Sequence, residues 1–321
     1  MALICYEEIR MKIARMHEFG NVDVVKLDNI DKPKIKSDEV LVAVHAAGIN
    51  PIDWKVREGH YSNPETDIFP FPMGWDFSGT IVEIGSDVNT YKIGDEVFGL
   101  IRFPMPAGCF AEFVAAPVNE IAHKPASLDH EHAAGIPLVA LTAWQALFST
   151  AHLQAGQKVL IHAAAGAVGQ MAIQIAKWHG AKVIATGSQS AKNLCLSLGA
   201  DQFLERNSFE DQINDIDLVL DLVGQEYIER SLKTIKPGGH LICFTQPIPA
   251  EISKKAADKG IKTQFTIVSP NGEQLKQIAQ LIDDNLLKNK IEQIFSLDQI
   301  KEALTLQQSG HCHGKLILKI K

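Results

Sequence analysis

The segment Lys158–Lys177, KVLIHAAAGAVGQMAIQIAK, most constrains what this 321-residue chain folds into, because it reads as a buried strand, a glycine turn and a helix in immediate succession. Lys158–His162 is apolar and rich in β-formers, Ala163–Gly169 supplies small residues, and Val168, Ala172, Ile175 and Ala176 recur at helical spacing. A helix that begins at these glycines leaves its first N–H groups without intrahelical acceptors and presents the positive end of its dipole, which suits a pyrophosphate. The pattern Ala163-x-x-Gly166-x-x-Gly169 keeps two glycines of the usual dinucleotide fingerprint and has alanine for the first. Taken alone it has a second reading, since small residues also gather where a helix merely packs closely on a sheet.

The surrounding pattern predicts a parallel sheet. Strand-like runs follow at Lys182–Thr186, Gln202–Leu204, Asp217–Asp221 and His240–Phe244. Between them lie a helix from Ser190 to Leu198, stopped by Gly199, and a second helix closed by Pro237-Gly238-Gly239. Strands alternating with helices at this spacing indicate a doubly wound α/β fold. Upstream, the short runs Glu39–His45, Thr80–Ile84 and Phe110–Ala115 sit between Gly, Pro and Asp turns and predict an irregular β-barrel. Downstream, Asn271–Leu287 has helical periodicity, Ile291–Phe295 reads as a strand, Asp298–Gln307 as a short helix and Gly314–Ile320 as an alternating final strand.

A chain of this length exceeds one typical core, so two domains are expected. The formal net charge of −7, with no arginine-rich or lysine-rich run to offset it locally, argues against nucleic acid as a partner. Cys5, Cys109, Cys195, Cys243 and Cys312 are scattered singly, which fits a reducing, cytoplasmic setting. The N-terminus lacks the order of a secretory signal, no apolar run approaches bilayer length, and a soluble protein with no membrane partner is expected. Met1–Arg10 reads as an extension or an over-long gene start ahead of Met11.

Seven blocks in order carry a family resemblance. They are Ala46–Lys55 (AAGINPIDWK), Gly74–Gly79 (GWDFSG) followed by Val82–Gly85, Gly94–Gly99 (GDEVFG), Leu141–Trp144 (LTAW), Leu198–Asp201 (LGAD), Lys236–Gly239 (KPGG) and His313–Lys315 (HGK). From Met11 to Lys321 the chain resembles the zinc-independent medium-chain dehydrogenases/reductases of the quinone oxidoreductase and alkenal/enone reductase kind. The resemblance implies an α/β protein with a GroES-like β-barrel catalytic domain, residues 1–127 and 263–321, and a Rossmann dinucleotide-binding domain, residues 128–262. It also implies a cleft between them for nicotinamide and substrate, and a homodimer.

Metal ligation is not expected. By the same resemblance, Asn50 stands where zinc-dependent alcohol dehydrogenases have their first cysteine, Trp75 where they have histidine and Asp76 where they have glutamate, while the third ligand falls near Pro137-Leu138. The structural-zinc lobe is absent too, Gly99–Phe110 containing only Cys109. His130-Glu131-His132 and His311-Cys312-His313 read as a polar helix start and a solvated turn. Asp53 and Asp76 are expected as turn and network residues.

NADPH is the expected cofactor. An NAD site usually places a carboxylate after the second strand, but Thr186–Ser190 has none, and Ser188, Lys192 and Arg206 offer donors or positive charge. Arg206 replaces a tyrosine common in the family, and its two readings are a phosphate ligand and a solvent-facing side chain. The resemblance adds Thr142, Ala165, Gly166, Ala167, Val168, Val223, Phe244 and Lys315 as cofactor-binding positions. It adds Asn50 and Lys55 as catalytic donors, expected on an accessible loop, with Tyr61 a weaker candidate. The expected reaction is hydride transfer to a small-molecule quinone or to the activated C=C of an enone. The alternatives are an enoyl-thioester reductase and a non-catalytic NADPH-binding protein.

Overall fold

The computed structural model describes residues 10–61 and 68–321, which divide into two compact units. One unit comprises residues 139–269 and 284–289. Its six strands are Lys158–Ile161, Lys182–Gly187, Gln202–Glu205, Ile216–Asp221, Ile235–Cys243 and Lys262–Phe265. All pair in parallel, in the spatial order third, second, first, fourth, fifth, sixth. The central strands are short unbroken apolar runs because both faces of such a sheet are covered, and Leu160, Val219, Leu241, Phe209 and Ile228 meet in one core. The chain order reverses between the first and fourth strands, which creates a switch point at their carboxyl ends.

The helix Ala167–Trp178 follows the first strand directly and buries Met171, Ala172, Ile173, Ile175 and Ala176. Its close approach depends on Gly169, where a Cβ would lie 2.6 Å from Ala164 Cα and 2.7 Å from Ala163 O. His162, just past the first strand, is fully buried, with Nδ1 2.8 Å from Thr186 Oγ1 and Nε2 2.9 Å from Ser231 Oγ. Because Ser231 Oγ–H donates to the Tyr227 carbonyl at 2.6 Å, His162 donates from Nε2 and accepts at Nδ1. Burial pushes the pKa of this imidazole down to about 3.

The other unit contains the rest of the chain. In its seven-stranded sheet the path runs Ile291–Ser296, Lys315–Lys319, Glu39–Ile49, Asp76–Ile84, Glu96–Leu100, Ile121–His123, and Phe113–Pro117 also pairs with Glu39–Ile49. A smaller sheet joins Val25–Asp31, Arg10–Met16 and Phe71–Pro72. Val40, Val42, Val44, Phe77, Ile81, Val97 and Val114 form the interior. The long strand Glu39–Ile49 shifts register against its neighbour at Leu41/Val42 and Val44/Ala46, irregularities that bend a strand. Its far end pairs with the last strand, Leu316 opposite Ile49, which brings Lys315 to Asn50 although 265 positions separate them.

The unit boundaries differ from the expected 127/128 and 262/263. Residues 128–138 stay with the barrel because helix His130–Ala134 packs on Gly48, where any Cβ would strike the Ala134 carbonyl, and because Leu138 N–H binds Asp76 Oδ1 at 2.9 Å. Lys262–Phe265 instead extends the parallel sheet as its sixth strand, so the crossing comes after Ser269. Residues 284–289 return to the parallel-sheet unit, where the Gln174 amide bonds the Lys288 backbone at 2.8 and 2.9 Å. Among the described residues no helix is long and apolar enough to cross a membrane.

Candidate active site

At the switch point the glycine turn is shaped as its sequence requires. Gly166 is the N-cap of helix Ala167–Trp178 and no side chain caps it, so the first-turn N–H groups of Ala167 and Val168 are left for a ligand. Ala165 is buried beneath the turn, and Gly166 N–H closes it on the Ala163 carbonyl at 2.9 Å. Ala163 itself adopts φ +47°, the left-handed region glycine favours, at the position where the fingerprint's glycine is missing. Ala164 N–H reaches the Thr186 carbonyl at 3.1 Å and ties the turn to the second strand.

Past that strand, Ser188 Oγ lies 2.9 Å from Ser190 Oγ, and exposed Lys192 opens helix Lys192–Ser197. Arg206 N–H binds the Gly187 carbonyl at 3.1 Å, so the residue after the third strand sits beside the end of the second. Asp201, the first carboxylate after the turn, holds Val183 N–H at 2.7 Å and Lys177 at 2.8 Å, at the opposite end of the strand. Glu205 stands opposite Gly187 in register, a carboxylate that spacing along the sequence had not brought forward. At the fourth strand's end, Asp221 Oδ1 accepts from Val223 and Gly224 N–H, both at 2.9 Å, and Phe244 N–H binds the Asp221 carbonyl at 3.2 Å. Val223 is exposed, Phe244 half-buried, and Thr142 buried on helix Pro137–Trp144.

The barrel unit holds a second cluster, built around the start of helix Pro51–Arg57. Pro51 sits at the first helical position, where a missing N–H loses nothing, and Asp53 Oδ2 accepts the Asn50 N–H at 2.6 Å. Asn50 Nδ2 donates to Asp76 Oδ2 at 2.9 Å and to the Gly48 carbonyl at 3.3 Å, while its Oδ1 accepts from Lys315 Nζ at 2.5 Å. Lys315 Nζ also lies 3.3 Å from Asp76 Oδ2. Asn50, Asp53, Asp76 and Lys315 are all buried. Burial pushes the Asp76 carboxyl up and the Lys315 ammonium down, and the charge of each offsets part of the other's shift.

Two expectations change here. Asn50 is not on an accessible loop: it is fully buried, and both amide hydrogens are committed within the unit. Lys315, expected at the cofactor, directs its ammonium to Asn50 and Asp76, because a buried cation needs a carboxylate more than it needs reach. Lys55 is half-buried on the same helix, with Nζ 5.9 Å from the Trp54 ring centre. Tyr61 is exposed, and part of the segment Glu58–Met73, residues 62–67, lies outside the described residues.

These residues do not fit zinc. An ammonium occupies the place beside Asn50 and Asp76, Trp75 Nε1–H donates to the Met105 carbonyl at 2.8 Å, and Leu138 offers only backbone. Burial holds the Cys109 thiol well above its ordinary pKa, away from the thiolate a metal requires. His130 bonds Ser78 Oγ at 2.8 Å and Glu96 at 3.2 Å, and stacks on His45, while His132 Nδ1 bonds Asp129 at 2.7 Å. Among the described residues no three His, Cys, Asp or Glu side chains are placed to share an ion.

Comparison with known proteins agrees with this architecture. Residues 36–126 match the alcohol dehydrogenase GroES-like domain, and residues 198–318 match a model described as zinc-binding dehydrogenase. The 2-methylene-furan-3-one reductase of Solanum lycopersicum is 33% identical, over 96% of this chain and 79% of its own. The chloroplastic NADPH-dependent alkenal/one oxidoreductase of Arabidopsis thaliana is 32% identical over the same shares, 96% and 79%. The solved quinone oxidoreductase of Coxiella burnetii superposes with a TM-score of 0.90 at 35% identity, covering 98% of this chain and 100% of that one.

Proposed function

The chain belongs to the medium-chain dehydrogenase/reductase family, in its quinone oxidoreductase and alkenal/one reductase branch, and from that premise we propose that it uses NADPH to reduce a quinone or the activated C=C of an α,β-unsaturated carbonyl. The observation that carries this reading is the Lys315 ammonium between Asn50 and Asp76. A donor set that holds its own cation there gives no Lewis acid to polarise an alcohol, so the acceptor must be electrophilic by itself.

The uncapped glycine turn fits a pyrophosphate, and Ser188, Lys192 and Arg206 at the end of the second strand fit a 2′-phosphate. Ala165, Gly166, Ala167, Val168, Val223 and Phe244, at the carboxyl ends of the strands, and Thr142 are assigned to the same cofactor. When bound, NADPH supplies hydride from nicotinamide C4. Hydride arriving at the β-carbon of an enone builds negative charge on the carbonyl oxygen, and Lys55 is the side chain we assign to meet it. Asn50, enclosed as it is, serves as a positioning residue for the helix that carries Lys55.

We also assign a homodimer, supported by strand Lys262–Phe265, which ends the six-stranded sheet with no further strand beside it among the described residues, and a reducing, cytoplasmic setting, supported by Cys109, Cys195, Cys243 and Cys312, which form no disulfide among the described residues. NADPH oxidation measured against a panel of quinones, enals, enones and enoyl thioesters tests the assignment. Quinones or enones should turn over fastest. Exclusive turnover of thioesters, or none with any acceptor, would remove it.

A further inference from the structure

The cluster at the start of helix Pro51–Arg57 contains two buried carboxyls and one buried ammonium, and its hydrogen-bond donors are divided unequally between the carboxyls. Asp76 receives three: Asn50 Nδ2 at 2.9 Å, Leu138 N–H at 2.9 Å and Lys315 Nζ at 3.3 Å. Asp53 receives one, the Asn50 N–H on Oδ2 at 2.6 Å, while its Oδ1 is buried without a hydrogen-bond partner. A buried carboxylate needs several donors or a counter-charge of its own, whereas a neutral carboxyl with one orphaned oxygen is far less costly.

We propose that Asp53 is carried as the neutral acid in the folded protein and acts as a positioning residue, its proton leaving one carboxylate to balance one ammonium at the start of the helix that carries Lys55. The charged and titratable groups around it are the Lys315 ammonium, the Asp76 carboxylate and the Cys109 thiol. Burial, with Asp76 adding to it, pushes the Asp53 carboxyl up to about 8 against the pull of Asn50 N–H and Lys315. With its folded pKa above its unfolded one, Asp53 contributes stability that is complete below about pH 4 and is lost as pH rises through about 8. Ionisation of Asp53 would place a second buried negative charge beside Asp76, which already holds the Lys315 ammonium at 3.3 Å.

The test compares wild type, Asp53→Asn and Asp53→Ala in thermal melting and in kcat with NADPH and 1,4-benzoquinone, from about pH 6 to pH 10. Wild type should lose melting temperature relative to Asp53→Asn as pH rises to about 8, with no further relative loss above it, and should lose kcat above about pH 8, approaching a tenfold fall per pH unit. Asp53→Asn, which keeps the oxygen facing Asn50 N–H and cannot ionise, should retain kcat near neutrality and lose that alkaline limb, whereas Asp53→Ala should be impaired at every pH. An unchanged alkaline limb in Asp53→Asn would overturn the proposal. Should the variant fail to fold, infrared spectroscopy of the wild type decides the matter: a protonated-carboxyl band should be present at pH 7 and vanish by about pH 9.5, and its absence at pH 7 overturns the proposal. Only the kcat arm rests on the proposed reaction; the melting and infrared arms hold or fail without it.

Discussion

Lys315 Nζ lies 2.5 Å from Asn50 Oδ1 and 3.3 Å from Asp76 Oδ2, so a lysine in the last strand closes a buried polar cluster at the start of the helix Pro51–Arg57. Lys315→Met keeps the length of the side chain and removes its charge, leaving Asp76 buried with two donors and no counter-charge. Breaking a buried pair in this way typically costs about 3–5 kcal/mol. Urea denaturation should show that loss, and Lys315→Met/Asp76→Asn should recover part of it. A stability change under about 0.5 kcal/mol in the single variant would mean that the pair contributes nothing.

The donors after the second strand predict cofactor choice. Lys192→Ala should weaken NADPH binding by about 1–3 kcal/mol, the scale of a hydrogen bond to a charged group, and leave NADH binding nearly unchanged. Ser188→Asp should shift preference toward NADH, because its carboxylate repels a 2′-phosphate. Titration calorimetry with both cofactors measures this. Equal affinities of the wild type for the two cofactors would remove the role assigned to Ser188, Lys192 and Arg206.

His162 predicts the acid side of the stability profile. Its folded pKa of about 3 lies below the unfolded value of 6.5, so the unfolded chain binds the extra proton between them. The contribution of His162 is therefore complete above about pH 6.5 and falls with pH by at most about 1.4 kcal/mol per unit, down to about pH 3. Chemical denaturation at several pH values should show a shallower acid decline in His162→Gln than in wild type. Parallel declines would place the acid sensitivity elsewhere.

Ala163 predicts a stabilising substitution. A non-glycine residue in the left-handed region costs about 1–2 kcal/mol, and glycine gives back roughly 0.4–1 kcal/mol through greater freedom of the unfolded chain. Ala163→Gly should thus raise stability by about 0.5–1 kcal/mol in denaturant titration. A loss of stability would show that the turn is not strained at φ +47°.

The parallel sheet was readable from the sequence because its strands are apolar runs bounded by glycine and proline, and the first five fall within a few residues of their predicted positions. The sixth, Lys262–Phe265 (KTQF), was missed: an edge strand with alternating exposure carries too little apolar signal. The domain boundaries shifted for a related reason, since what assigns residues 128–138 is Leu138 N–H on Asp76 and Ala134 against Gly48, contacts that local periodicity does not encode. The strand, glycine turn and helix from Lys158 to Trp178 were legible because they follow one another directly along the chain. The partnership of Asn50, Asp76 and Lys315 was not, because it is made by pairing the last strand with Glu39–Ile49 across most of the chain. The signal within reach was a lysine opening a strand that otherwise alternates as core, in GKLILKI.

Isotope transfer from NADPH carrying deuterium at nicotinamide C4 tests the central claim most directly. With a short enone as acceptor, the account predicts deuterium at the β-carbon of a saturated ketone, since the donor set at Asn50, Trp75 and Leu138 offers no metal to polarise the carbonyl carbon for attack. Deuterium on the carbonyl carbon, with an allylic alcohol as product, would contradict it.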